Sequence, residues 1–302
     1  MGRSRPALAR SQGLSAPLKN YFQMDVQRVR IGSYNAKDFI APSQGHGVRQ
    51  AKSTQELRAL AETLKAADCD IVSLQEVGSK KLLEQFAEQR LGGAYQHVAL
   101  VPSNDKSGLN LGLISKYPIL KVVSHKNDRI PTTDGKGTTH FTRDFLRIDL
   151  DVNGEVVTVY NTHGKARMGD PLTEEQRVAE ARAGRNILLK DMAAFPSRLV
   201  VVTGDLNDNT HNRSVQALAK GDGRGVQLKD SLEGKSREDQ LTWLVPGMSS
   251  HELRGHQFDH VLYPAAQKDK FLGSQVHSDV KNADIASDHF LVSADFQIPK
   301  PG

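Results

Sequence analysis

The stretch Arg198 to Asn209, RLVVVTGDLNDN, constrains this chain most. Leu199, Val200, Val201 and Val202 make a short run of apolar β-formers, which reads as a buried strand. Gly204 permits a tight exit, and Asp205 and Asn207 follow at once. A carboxylate and an amide two residues apart at a strand end stand on one rim of a sheet and point the same way. That rim suits a metal-assisted site. A strand followed by an ordinary Asp/Asn turn would look the same, so the rest of the chain decides between them.

A length of 302 residues permits two domains or one large layered domain. The hydrophobic share of 38% and charged share of 25% describe a soluble globular protein. No apolar run reaches the length of a membrane span. The first twenty residues are basic in part but lack the apolar core of a secretory signal. This favours the cytoplasm slightly and leaves secretion open. Cys69 is the single cysteine, so no internal disulfide forms. Its place before an apolar run reads as a buried structural thiol rather than a nucleophile. Forty Lys and Arg against 35 Asp and Glu give a formal charge of +5. Residues 1–30 hold six basic side chains and one acid, which accounts for the whole excess. Any grip on a polyanion is therefore local. Lys121 to Arg147 is one candidate, with six basic residues against three acids.

Residues 1–25 are polar, basic and aperiodic, and read as a flexible tail. Residues 26–298 read as a single catalytic domain. Val26 to Tyr34 is a strand that delivers Asn35. Ser53 to Ala67 is a helix opened by a capping box with Glu56. Asp70 to Leu74 is a strand ending on Gln75 and Glu76. Phe145 to Val152 and Val156 to Thr162 form a hairpin about Asn153-Gly154, and the second strand ends on His163. Thr173 to Met192 is a long helix. Phe258 to Tyr263 is a strand carrying Asp259, and Phe290 to Phe296 is preceded by Ser287, Asp288 and His289. Two similar halves, each supplying strands to one sheet, fit this order. Two packed sheets with helices outside is the expected architecture.

Polar groups thus recur at strand edges drawn from the whole chain. Together they offer oxygen ligands for a hard cation, a base for water, and imidazoles for an oxyanion or a leaving group. At these positions the sequence resembles the endonuclease/exonuclease/phosphatase superfamily of metal-dependent phosphoesterases. The matching pieces are SYN at Ser33 to Asn35, LQEV at Leu74 to Val77, YNTH at Tyr160 to His163, TGDLN at Thr203 to Asn207, FDHVL at Phe258 to Leu262 and SDHF at Ser287 to Phe290. They appear in the family's order. The resemblance implies an α/β fold, a four-layer sandwich of two facing β-sheets with helices on both outer sides.

It also implies roles. Glu76 is the expected principal metal ligand, with Asn35 and Asp288 nearby, and Mg²⁺ is the expected ion, Mn²⁺ or Ca²⁺ being alternatives. Asp205 is expected to orient or deprotonate the attacking water, and Asn207 to hold a phosphate oxygen. His289 is similar to the family's phosphate-facing histidine, and Asp259 to the carboxylate that fixes its tautomer. His163 would sit opposite and protonate the leaving oxygen. Histidine at that strand end resembles deoxyribonuclease I, deadenylases, sphingomyelinases and inositol-phosphate phosphatases, where abasic-site nucleases of the exonuclease III type usually carry Asn. Many relatives have an apolar residue next, whereas Gly164, Lys165, Ala166 and Arg167 make this loop open and basic. Arg143 and Asn110 stand where relatives place substrate-lining residues, or they serve plain surface roles.

A zinc reading of His251, His256 and His260 is disfavoured, because the segment holds Gly255 and turns into a strand. The leading expectation for the substrate is nucleic acid, as a deoxyribonuclease I-like DNA endonuclease with Lys165 and Arg167 on phosphates. Aromatic residues at 6% offer little for stacking on single strands, which favours duplex DNA. The alternative is a phospholipid head group, as in a sphingomyelinase, or an inositol phosphate. A non-catalytic binding module would be expected to lack one of Glu76, Asp205 or His289, and all three are present.

Overall fold

The computed structural model describes residues 25–45, 47, 49–167, 170–245 and 255–300. His251 and nearly all of the 1–25 tail lie outside them. Local chemistry sets many of the element boundaries. Ser53 accepts the Glu56 amide at 3.2 Å while the Glu56 carboxylate accepts the Ser53 amide at 2.7 Å, the reciprocal capping box that opens α1. The Asn153-Gly154 turn has φ of 54° and 95°, as a two-residue hairpin requires.

In chain order the elements are β1 (Val26–Phe39), α1 (Thr54–Ala67), β2 (Ile71–Val77), α2 (Lys80–Leu91), β3 (His97–Val101), β4 (Asn110–Ser115) and β5 (Ile119–Val123). A small ribbon, β6 (Ile130–Pro131) and β7 (Thr138–Thr139), precedes β8 (Phe145–Val152) and β9 (Glu155–His163). Then come α3 (Pro171–Ala194), β10 (Leu199–Asp205), α4 (Arg213–Ala219), β11 (Leu228–Asp230), β12 (Trp243–Leu244), β13 (Gly255–His256), β14 (Asp259–Pro264), β15 (Phe271–Val276), α5 (Ala283–Ala286) and β16 (Val292–Pro299).

Two six-stranded sheets result, ordered β15-β16-β1-β2-β4-β3 and β11-β14-β10-β9-β8-β5. The halves do not each supply one sheet. The C-terminal strand β16 returns to pair antiparallel with β1, because β1 has a whole edge to offer once β2 covers the other. Between the sheets lies a core that includes Ile31, Ile71, Leu113, Ile148, Val159, Val201 and Val261. Leu60 and Leu64 of α1 and Leu83 of α2 cover the outer face of the first sheet with Val72 and Leu74. Leu188 of α3 and Leu218 of α4 cover the second with Val200 and Val202. Helix, sheet, sheet, helix is the four-layer α/β sandwich. No described helix is long and apolar enough to cross a membrane.

Each sheet has one parallel pair near its centre, β1/β2 and β9/β10. Their carboxyl ends deliver Asn35, Glu76, His163 and Asp205 to one end of the sandwich, where ligands bind in α/β sheets. Polar bonds between the sheets fix that end. The Thr203 hydroxyl donates to the Ser73 hydroxyl at 2.7 Å. Gln75 Nε2 donates to Asn161 Oδ1 at 2.8 Å, and Asn161 Nδ2 donates to the Gly112 and Leu74 carbonyls. Asn161 is bonded through both its oxygen and its nitrogen, and it ties the two sheets together at this end.

Cys69 is fully buried, and burial pushes its thiol up to about 12, consistent with a structural role. Buried His277 bonds through Nε2 to the Ser293 hydroxyl at 2.8 Å. Burial and the Arg30 charge lower its pKa from 6.5 to about 4. The unfolded chain therefore binds a proton that the fold refuses. Stability is complete above 6.5 and is lost as pH falls toward 4, by about 3 kcal/mol. Urea melts of wild type and His277→Gln at pH 7.5 and 4.5 check this: the variant is expected to lose less stability on acidification, and equal losses would refute it.

Candidate active site

Strand register sets out the central row of the site. Asp205 on β10 pairs with His163 on β9 to one side and with Asp259 on β14 to the other. Neighbours in register project to the same face, so three ionisable groups stand abreast at one sheet end. Gly204, just before, makes the close approach possible: its φ is 153°, and a Cβ there would collide with the Thr162 carbonyl of β9.

The other sheet meets this row through Asn35. Its Nδ2 donates to Asp205 Oδ2 at 2.9 Å and to Glu76 Oε1 at 3.2 Å. Its Oδ1 accepts the Lys37 amide at 2.9 Å, which fixes the orientation of the side chain. Asn35 therefore presents its nitrogen, not its oxygen, to the two carboxylates. That differs from the ligand expected from the sequence, and the cause is local. β1 does not stop at Asn35 but continues through a bulge to Phe39, with Lys37 and Asp38 at φ of 45° and 44°. Glu76 sits in a second bulge, at φ 62°. Non-glycine residues in this region are strained, and such strain gathers at functional sites.

The Asp38 amide donates to Glu76 Oε2 at 2.9 Å, and Lys37 Nζ lies 3.4 Å from Asp288 Oδ2. Asp38 and Glu76 thus meet at the β1 bulge, Asp288 is tied to the same bulge through Lys37, and all three are partly exposed. Burial and the Glu76 charge raise the Asp38 pKa. Their partial exposure leaves room for the waters that Mg²⁺ keeps, and carboxylate oxygens are the donors that such a hard ion takes. Asp205, Asp259 and His289 also converge, within 4.8 Å of one another. We assign them differently: all three are buried, and His289 Nδ1 is already bonded to Asp259 Oδ2 at 2.7 Å.

Asp205 is the most crowded group. Its Oδ1 accepts the Asn207 amide at 2.8 Å, and its Oδ2 faces Asn35, with His163 Nε2 at 3.4 Å and His289 Nε2 at 3.7 Å. Burial raises its pKa, with the Asp259 charge adding and the His289 charge opposing. Burial opposes charge on His289, but Asp259 and Asp205 outweigh it and raise its pKa. His289 is therefore an imidazolium at neutral pH. His163 goes the other way. Burial lowers its pKa well below normal, assisted by the Arg143 and His289 charges, so it is neutral. Asn207, at φ 52°, turns its Nδ2 to the Gly164 carbonyl at 3.1 Å.

Two expected substrate contacts take inward roles. Asn110 is buried; its Oδ1 accepts the Ser103 amide and its Nδ2 donates to the Gly78 and Gly108 carbonyls. Arg143 is buried too, 3.1 Å from Asp105 Oδ2, and donates to the Gly164 carbonyl at 2.9 Å. It shapes the loop after His163. Lys165 lines an open groove beside that loop, and Arg167 lies over the Phe258 ring at 5.8 Å.

Several supporting residues had no clear signal in the sequence. The Thr242 hydroxyl accepts the Phe258 and Asp259 amides at 3.0 Å, and Trp243 bridges to His289. The Ser287 hydroxyl donates to the Asn35 carbonyl at 2.7 Å and accepts the His289 amide. Behind Asn207, Asp208 Oδ2 accepts Arg177 Nε at 2.8 Å and the Ser214 hydroxyl at 2.6 Å. His260 spans Asp230 Oδ2 at 2.6 Å and the Asp208 carbonyl at 2.9 Å, and Asp230 raises its pKa against the effect of burial. Both His260 nitrogens are thus engaged, Nε2 holding the Asp205–Asn209 loop and Nδ1 anchored to Asp230 of β11.

The family model described as the endonuclease/exonuclease/phosphatase family matches residues 33–289. No curated protein matches the chain by sequence. Among solved structures, truncated TDP2 of Caenorhabditis elegans is 20% identical, with a TM-score of 0.61 over 89% of this chain and 97% of that one. The human Nocturnin catalytic domain is 18% identical, with a TM-score of 0.61 over 91% and 97%. A family protein from Bacteroides thetaiotaomicron is 18% identical, with a TM-score of 0.63 over 91% and 96%. These similarities concern the fold, and with the family match the conclusion follows that the chain belongs to the endonuclease/exonuclease/phosphatase family.

Proposed function

We propose that residues 26–298 form one catalytic domain that hydrolyses phosphodiester bonds in nucleic acid, as a divalent-metal-dependent DNA endonuclease. One observation carries the reading. A buried carboxylate, Asp205, is ringed by an amide and two imidazoles, one neutral and one cationic, with the partly exposed carboxylate of Glu76 bonded to the same amide. A raised pKa makes Asp205 a stronger base than an exposed aspartate while leaving it largely ionised near neutrality.

In this reading Asp205 takes the proton of the attacking water, held in line by the Asn207 amide and Asn35 Nδ2. His289 Nε2 donates to a phosphate oxygen, and Asp259 fixes the ring by binding Nδ1. His163, being neutral, donates a hydrogen bond through Nε2 rather than supplying a proton to the leaving oxygen, which modifies the role expected from the family. Glu76, with Asp288 and Asp38, would hold Mg²⁺ or Mn²⁺, which when bound neutralises phosphate charge and polarises phosphorus. Asn35 orients Glu76 and Asp205.

The test is Mg²⁺-dependent turnover of plasmid DNA, RNA, sphingomyelin and an inositol phosphate. Nicking of DNA in preference to the others is expected; preference for a head group would replace the reading. The pH profile of kcat/KM is expected to be bell-shaped. Its acid limb lies above the ordinary carboxylate range because Asp205 must lose a proton whose pKa is raised. Its alkaline limb lies above the ordinary imidazole range because His289 must keep one. In His289→Gln the alkaline limb should disappear. A limb that persists unchanged assigns it to another group.

A further inference from the structure

The loop from His125 to Thr142 is basic, and the catalytic reading leaves it without a task. Together with the loop at Asn104–Ser107 and the start of α3, it bounds an open groove of about 1080 Å³ beside the site. Two of its lining residues adjoin the site. Arg49 lines it and lies 3.3 Å from Asp38, whose amide holds Glu76. Lys165 lines it and follows Gly164, whose carbonyl takes Arg143 and Asn207.

Its charge is one-sided. Lys106, Lys126 and Lys165 line it, Arg49 and Arg143 line it while paired with Asp38 and Asp105, and among the described lining residues Asp105 is the one acid. That acid is already neutralised. Burial would raise its pKa, but hydrogen bonds from Ser107 and the charge of Arg143, 3.1 Å away, hold it below normal. The groove exceeds the ~300–1,000 Å³ of small-ligand pockets. No Trp, Tyr or exposed Phe is among its described lining residues, Phe141 being buried, so apart from the His140 imidazole it offers little for base stacking. A basic, open groove with so little ring surface suits phosphates better than bases.

We propose that this groove binds the phosphate backbone of a polynucleotide beyond the scissile position, with Lys106 and Lys126 each contacting a phosphate. The inference rests on the nuclease reading for the scissile end of the groove, but the binding it asserts needs no metal and no turnover. Specificity for polymers over single phosphodiesters then comes from contacts remote from the reaction.

Fluorescence anisotropy of a labelled 20-base-pair duplex, in DNA and RNA versions and in EDTA, tests it. Wild type, the double variant Lys106→Ala/Lys126→Ala, and Lys136→Ala are titrated with NaCl. Lys136 carries the same charge but does not line the groove. The double variant is expected to bind about tenfold or more weaker, and the slope of log K against log salt to fall by about 1.8, or 0.9 per lost phosphate contact. Lys136→Ala should show neither change. With Mg²⁺ added, the preference for duplex over bis(p-nitrophenyl) phosphate should fall by the same factor. Loss on either polymer supports the groove and names its source. Unchanged slope and preference on both, or losses confined to anionic lipid vesicles, overturn it. The two readings fail separately. Binding that depends on Lys106 and Lys126 without cleavage would sink the nuclease and keep the groove. Cleavage indifferent to both would do the reverse.

Discussion

Asp205→Asn is expected to lower kcat on plasmid DNA by about 10³-fold, near ~4 kcal/mol of transition-state stabilisation, while leaving the melting temperature unchanged or higher. The substitution conserves volume, removes the charge, and replaces one acceptor oxygen by an amide nitrogen, so that either the Asn35 or the Asn207 hydrogen bond is given up along with the desolvated charge. The two effects have opposite signs because Asp205 holds a raised pKa in the folded protein. The fold binds its proton more tightly than the unfolded chain does. Stability is therefore lost as pH rises through that pKa, and at neutral pH the ionised carboxylate is a burden on the fold. Removing it relieves a desolvated charge and forfeits a base. His289 should also respond. It loses one of the two carboxylates that hold its proton, so its pKa falls toward the ordinary value and its share of alkaline stability is lost at lower pH. Steady-state kinetics and calorimetry on one preparation check all of this. Less than a tenfold loss in kcat would remove Asp205 from the proton transfer, and a large drop in melting temperature would show that its role is structural.

Much of this site was legible because it is built at strand ends, and strand ends are local. The run Leu199–Val202, the Asn153-Gly154 turn and the Ser53 cap are each set by neighbours within a few residues. Register then carried the rest: once β10 lies between β9 and β14, His163, Asp205 and Asp259 must stand abreast. What the sequence concealed depends on partners far along the chain. Asn110 and Arg143 look like substrate contacts by position, and the sequence gives no sign that they also bind inward, Asn110 to Ser103 and Gly78 and Arg143 to Asp105 and Gly164, while Arg143 still lines the groove. The bulges that bring Asp38 to Glu76 and turn the nitrogen of Asn35 inward leave no mark in hydrophobic periodicity. The network behind Asn207 joins Arg177, Asp208, Ser214, Asp230 and His260 from four segments, and no single spacing announces it. The low aromatic content concealed a cluster as well. Trp243, His256 and Phe258 pack with centroids 4.7–5.7 Å apart next to His289.

Gly204→Ala should be among the most damaging single-methyl changes in the chain, and its mechanism is separable. Gly204 pairs with Thr162 across the parallel β9/β10 seam, and its φ of 153° is unsuited to a side chain. A Cβ would also strike the Thr162 carbonyl, a backbone atom that cannot rotate away. Strain of about 1–3 kcal/mol and overpacking of about 1–3 kcal/mol add to roughly 2–6 kcal/mol. That corresponds to a fall in melting temperature of roughly 5–20 °C. Gly273 supplies the control. Its φ is 151°, but nothing lies within 4 Å of the position a Cβ would take. Gly273→Ala therefore carries the backbone strain alone, and the difference between the two variants measures the collision. The activity should separate them further. To relieve the clash β10 must shift along or away from β9, and that seam is what sets Asp205 beside His163. A displacement of an ångström at a proton-transfer site costs far more in rate than in stability. Gly204→Ala should consequently lose turnover even at temperatures where it remains folded, whereas Gly273→Ala should keep it. Equal melting temperatures and equal turnover in the two variants would show that the seam yields without cost, and the placement of Asp205 would then need another explanation.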